Sequence, residues 1–133
     1  MKDARYSLIL LPVFLLVVFA RLALAGPETY AQYVMGGMLV NFNHSLTDAE
    51  KAELKALIED SRSREHERVL AHVLINVQHT VSADDRVKLD ALLTDKTASI
   101  GEKLMATILL NLNHTMADAD KDKLLRFGHL PPK

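Results

Sequence analysis

The chain writes one pattern three times at a fixed step of 35 residues. The stretches "NFNHS" (Asn41 to Ser45), "NVQHT" (Asn76 to Thr80) and "NLNHT" (Asn111 to Thr115) each close an apolar run. Stacked on that step, many further columns agree without a gap. Met35, Leu70 and Met105 align, as do Leu39, Leu74 and Leu109, then Phe42, Val77 and Leu112. After the signature come Leu46, Val81 and Met116, then Leu54, Leu89 and Leu124. Repetition at this period is the mark of stacked supersecondary units, each unable to bury its apolar face alone.

Each unit reads as two helices. In the first, Val34, Met38, Asn41 and Phe42 fall at helical spacing on one face. The column Gly36, Ala71 and Ala106 is small throughout, which admits a neighbouring helix at close range. The second helix is more amphipathic. "TDAE" (Thr47 to Glu50) has capping-box form, "SADD" (Ser82 to Asp85) is a weaker version, and Ala117 holds the cap position in the third unit. The links Glu59 to Glu65 and Thr94 to Glu102 are short and polar, and Pro131 and Pro132 forbid helix beyond the third unit. The expected fold class is all-α: three tandem helical hairpins (about 32–66, 67–101 and 102–130) stacked as a short α-solenoid. The period is close to the ~34 residues of the tetratricopeptide class, whose consensus is absent; HEAT-like stacking fits equally.

The repeat domain is expected to span 26–133, behind a signal peptide over 1–25. Lys2 and Arg5 precede an apolar run from Ser7 to Ala20, and "ALA" (Ala23 to Ala25) precedes Gly26. A helix over that run rises roughly 21 Å, short of the ~30 Å hydrocarbon core. Arg21 blocks its extension, so cleavage after Ala25 is favoured over a retained anchor. With no cysteine, the chain has no thiolate ligand, no thiol nucleophile and no disulfide, and must be held by packing alone, which with the leader looks more like a periplasmic protein than an animal secreted one. The charge balance is mildly acidic, which argues against nucleic acid and against anionic lipid.

The repeated signature admits three readings. As a catalytic device it is written too often, since an acid–base pair or nucleophile belongs to one cleft; no enzyme is expected. As a metal or haem site it offers His44, His79 and His114, alone or with Met35, Met38 or Met116 for copper. In a translational stack, however, equivalent residues stand ~8–10 Å apart and point in parallel, so a shared centre forms only if the units curl into a closed three-fold arrangement. As a structural stop signal the signature ends the first helix, with Asn41, Asn76 and Asn111 as buried amide rungs between units. The leading expectation is a non-catalytic module without cofactor that binds a protein or peptide, through residues such as Lys51, Lys55, Arg86, Asp90 and Lys121. The exposed ends of the stack also offer a route to self-association. The alternative is a periplasmic copper-, zinc- or haem-binding protein that uses the histidine column.

Overall fold

The computed structural model describes residues 29–127. The expected signal peptide, His129 and the proline-rich end lie outside them. Within them the chain forms six α-helices: α1 (Tyr30–Val40), α2 (Asp48–Glu59), α3 (Glu65–Asn76), α4 (Ala83–Thr94), α5 (Ile100–Asn111) and α6 (Asp118–Arg126). Pairing is confined to isolated bridges at the repeated turns. No helix among the described residues is long and apolar enough to cross a membrane.

The caps follow the sequence, but the close helix pairs are not the expected hairpins: α2 packs on α3 and α4 on α5, across the expected unit boundaries, while the two helices inside each unit touch far less. Thr47 and Glu50 form a reciprocal capping box on α2, and Ser82 caps α4 through the Asp85 amide. Ala117 caps α6 without a side-chain bond. The aligned apolar columns make the core, in which Leu39, Leu54, Leu70, Leu74, Leu89, Met105, Leu109 and Leu124 are fully buried. The small column is buried too, and α1, α3 and α5 all touch one another.

That mutual contact is the difference from an open stack. In a translational array the first and third units do not meet. Here α1 packs on α3, α5 and α6, so the three repeats close on themselves around an inner triangle of first helices. Matched residues supply successive layers along these helices, Met35, Leu70 and Met105, then Leu39, Leu74 and Leu109, and a last layer just past their ends, Phe42, Val77 and Leu112.

A ring of polar side chains closes the end formed by the helix N-termini. Gln32, Glu67 and Glu102 occupy one column of the repeat and are fully buried. Each cap residue reaches the matched position of the next unit. The Thr29 hydroxyl donates to Glu67, Arg64 lies 3.4 Å from Glu102, and the Gln32 amide donates to Ser99 at 3.3 Å. The Glu67 and Glu102 carboxylates also accept from the Arg64 and Ser99 amides of their own helices, at 2.8 and 2.7 Å. Gln32 matters because it is an amide where the other units carry an acid. It donates to Glu67 at 3.3 Å instead of adding a third buried negative charge.

Two links carry a matching acid. Asp60 and Asp95 each follow a helix end and turn the chain, accepting from the Arg62 and Thr97 amides at 2.9 and 2.7 Å. Side-chain and backbone bonds from Thr97, together with His66 at 3.0 Å, lower Asp95 to about 2. The Arg62 side chain and amide do the same for Asp60, also to about 2.

These arrangements generate two predictions. Gln32→Glu places a third carboxylate in the buried ring and destabilises the fold at pH 7 by on the order of 3 kcal/mol. Urea melts of the variant and the wild type at pH 7 measure the deficit. A depressed folded pKa stabilises above the unfolded value and is lost as pH falls through the folded one. The stability difference between wild type and Asp95→Asn is therefore present above about pH 4 and vanishes toward pH 2.

Candidate metal centre

The three signatures meet at the other end of the inner triangle. Each is pinned by buried residues on both sides: Phe42 and Leu46, Val77 and Val81, Leu112 and Met116. Between these anchors the chain makes one tight turn in every unit. Ser45, Thr80 and Thr115 donate their amides to the carbonyls of Asn43, Gln78 and Asn113 at 2.7–2.8 Å. The histidine in the middle has positive φ in all three: 67° at His44, 63° at His79 and 61° at His114. An i+2 to i bond around such a residue is the rarer, positive-φ form of the γ-turn. A side chain with a Cβ held there costs on the order of 1 kcal/mol.

The same histidines carry a closed ring of backbone hydrogen bonds. The His79 amide donates to the His44 carbonyl at 2.8 Å, and His114 donates to His79 at 2.7 Å. His44 donates to His114 at 2.7 Å, which joins the first unit to the last. These lengths sit at the short end of the N–H···O range. The ring explains the strained turn: it turns the histidine amide and carbonyl outward to its two neighbours, where an ordinary reversal would spend them locally.

Closure gathers the imidazoles. Ring centroids lie 5.3 Å apart for His44–His79, 5.6 Å for His44–His114 and 4.8 Å for His79–His114. One nitrogen of each lies within 4.8 Å of the others, and the Nδ1 atoms of His79 and His114 are 3.0 Å apart, one donating to the other. Zinc–nitrogen bonds of 2.0–2.1 Å in a tetrahedral site imply nitrogens about 3.4 Å apart. The cluster spans 4.8 Å at most, so small side-chain rotations close the difference. The rings are exposed, and ligand entry needs no opening of the core.

The remaining candidate residues divide. The asparagine rungs are corrected. Asn41, Asn76 and Asn111 are exposed: regular helix stops at them, and the next residue, Phe42, Val77 or Leu112, takes the core position instead. Asn41 donates to its own helix at the Gly37 carbonyl, 3.1 Å away, and Asn76 reaches Asp85 at 3.5 Å. The left-handed residue of the turn is the histidine, not the asparagine. Met35, Met38 and Met116 are buried and offer no sulfur to a ligand at the exposed rings. Of the charged residues, Lys55 and Asp90 are exposed, and Arg86 donates to the Leu110 carbonyl at 3.3 Å. Lys121 lies 3.9 Å from Asp118. Lys51 lines a shallow cavity of about 240 Å³ with His44, Ser45, Gln78 and His79. A larger cavity, about 500 Å³, lies by Thr29 and Glu67 at the opposite end, where those two groups bond to each other.

Sequence reasoning missed the buried column Gln32, Glu67 and Glu102. Its signal was the same 35-residue step, with Thr29, Arg64 and Ser99 three residues earlier in capping-box spacing. Comparison with known proteins found no matching family model, no similar curated protein and no similar solved structure.

The turn geometry separates backbone from side-chain roles. His79→Gly leaves stability within about 0.5 kcal/mol of wild type, since glycine adopts positive φ freely. His79→Val lowers it by roughly 1–2 kcal/mol, because a β-branched residue is a true outlier there. Thermal melts of the two variants check this. A glycine variant as unstable as the valine one means that the imidazole, not the backbone, holds the turn.

Proposed function

We propose that this protein binds a transition-metal ion through His44, His79 and His114, with zinc as the best-fitting ion. One observation carries the reading: three imidazoles from three separate units offer nitrogens within 4.8 Å of one another. Imidazole suits zinc, copper, nickel and iron. Three ligands arranged around a pseudo-three-fold axis leave the fourth corner of a tetrahedron open, which favours zinc over the tetragonal preference of copper(II). Three crowded rings give no flat slot for a haem.

The protein- or peptide-binding reading changes form. Closure brings the end units together, so a partner would meet the outer helices, where Lys55 and Asp90 are exposed, or the metal face itself. No catalytic role is proposed. Export to the periplasm or cell exterior rests on Lys2, Arg5, the apolar run from Ser7 to Ala20 and Ala23 to Ala25.

Calorimetric titration of the protein with Zn²⁺ tests the metal reading. One ion binds per chain, raises Tm by mass action, and binds more weakly as pH is lowered, because each ligating imidazole must be neutral. The control is the triple variant His44→Asn, His79→Asn, His114→Asn, since asparagine tolerates positive φ. It folds and loses the zinc-dependent shift. A wild-type Tm indifferent to zinc, or a shift that survives in the triple variant, overturns the reading.

A further inference from the structure

We propose that the open side of the metal centre takes a small oxyanion, a carboxylate or phosphate, seated between the metal and the Lys51 ammonium. The inference rests on the zinc reading and adds the class of ligand. Its first support is place. Lys51, Ser45 and Gln78 line one cavity with two of the three histidines, His44 and His79. Its volume of about 240 Å³ holds a small anion and a few waters, given ~30 Å³ per water.

Its second support is charge. Lys88, Lys121 and Lys123 each pair with the acid three residues earlier, at 2.7, 3.9 and 2.8 Å. Lys51 stands in the same column as Lys121, and Asp48 stands where Asp118 does. Yet among the described residues Lys51 forms no ion pair, and it is half-buried beside the rings. Arg86, the third member of the column, donates to the Leu110 carbonyl at 3.3 Å and keeps its charge. Of the three, Lys51 is the cation that lines the cavity beside His44 and His79.

Its third support is the donor set. Ser45 and Gln78 line the same cavity and no acid does, and the nearby Glu50 carboxylate accepts from the Thr47 amide and hydroxyl at 2.8 Å. A dication on three neutral imidazoles keeps its full charge, and with an ammonium beside it the site carries three positive charges and no lining acid. An oxyanion completes the metal's fourth position with one oxygen and accepts from Lys51 with another.

Cobalt(II) is the probe, because its visible bands report coordination number and a change of ligand. The protein is loaded with cobalt(II), then titrated separately with acetate and with phosphate. The four-coordinate bands form, and at least one anion shifts them saturably. Comparing the two titrations tells carboxylate from phosphate. Lys51→Met weakens that anion roughly tenfold and leaves cobalt affinity unchanged, while Lys121→Met changes neither. If the bands form and neither anion shifts them, or Lys51→Met binds as wild type does, the anion site is overturned and the metal site stands. If the bands fail to form, the zinc reading itself falls.

Discussion

One hydrogen bond separates this fold from an open array of the same units: the His44 amide donating to the His114 carbonyl. The bonds His79 to His44 and His114 to His79 exist in principle in any stack of neighbours. The third requires that the last unit come round to the first. Once it does, α1 gains α5 and α6 as neighbours, and the buried layers of Met35, Leu39 and Phe42 with their counterparts are shared by three helices rather than two. The polar ring of Gln32, Glu67 and Glu102 obeys the same cycle at the opposite end. A ring of backbone hydrogen bonds at one end of an apolar column and a ring of polar side-chain contacts at the other set the angle between units that hydrophobic contact alone leaves soft.

Much of the architecture is legible in the chain. The 35-residue step gives three two-helix repeats, the alternation of apolar and charged columns gives the inner and outer helices, and Thr47, Glu50 and Ser82 mark helix starts where they occur, whereas the close pairing of α2 with α3 and α4 with α5 across the repeat boundary is not legible. Curvature is not legible in the same way. A repeat period states how many residues make a unit and says nothing about the rotation from one unit to the next, so a straight stack and a closed triangle share one pattern. The fate of the histidines hangs on that rotation. Parallel and separated in a straight stack, they converge within 4.8 Å in a closed one.

The asparagines show a second limit. At helical spacing Asn41, Asn76 and Asn111 fall on the apolar face, but spacing holds only while the helix lasts, and the helices stop there. The residue with the unusual backbone was three positions on. Positive φ is the habit of glycine and asparagine. A purely structural turn would be served by either. Instead each unit holds a histidine in that conformation, and the cost of doing so three times gathers three imidazoles at one exposed point. Strain of this kind concentrates where side chains must be presented.

The buried acids complete the picture of a cycle that is similar but not identical in its three parts. An amide at Gln32 keeps the polar ring from holding three negative charges. Lys51, which forms no ion pair among the described residues, lines the cavity beside His44 and His79 and marks out that face of the histidine cluster. Near-symmetry builds the scaffold, and the departures from it give the scaffold a direction.

Closure is tested most directly by amide hydrogen exchange at His44, His79 and His114, read residue by residue by NMR. A closed ring protects all three amides alike, His44 included, because each is bonded to a neighbouring unit. An open stack protects His79 and His114 and leaves His44 exchanging at the rate of an exposed loop; that result would contradict the ring, and with it the meeting of the three imidazoles.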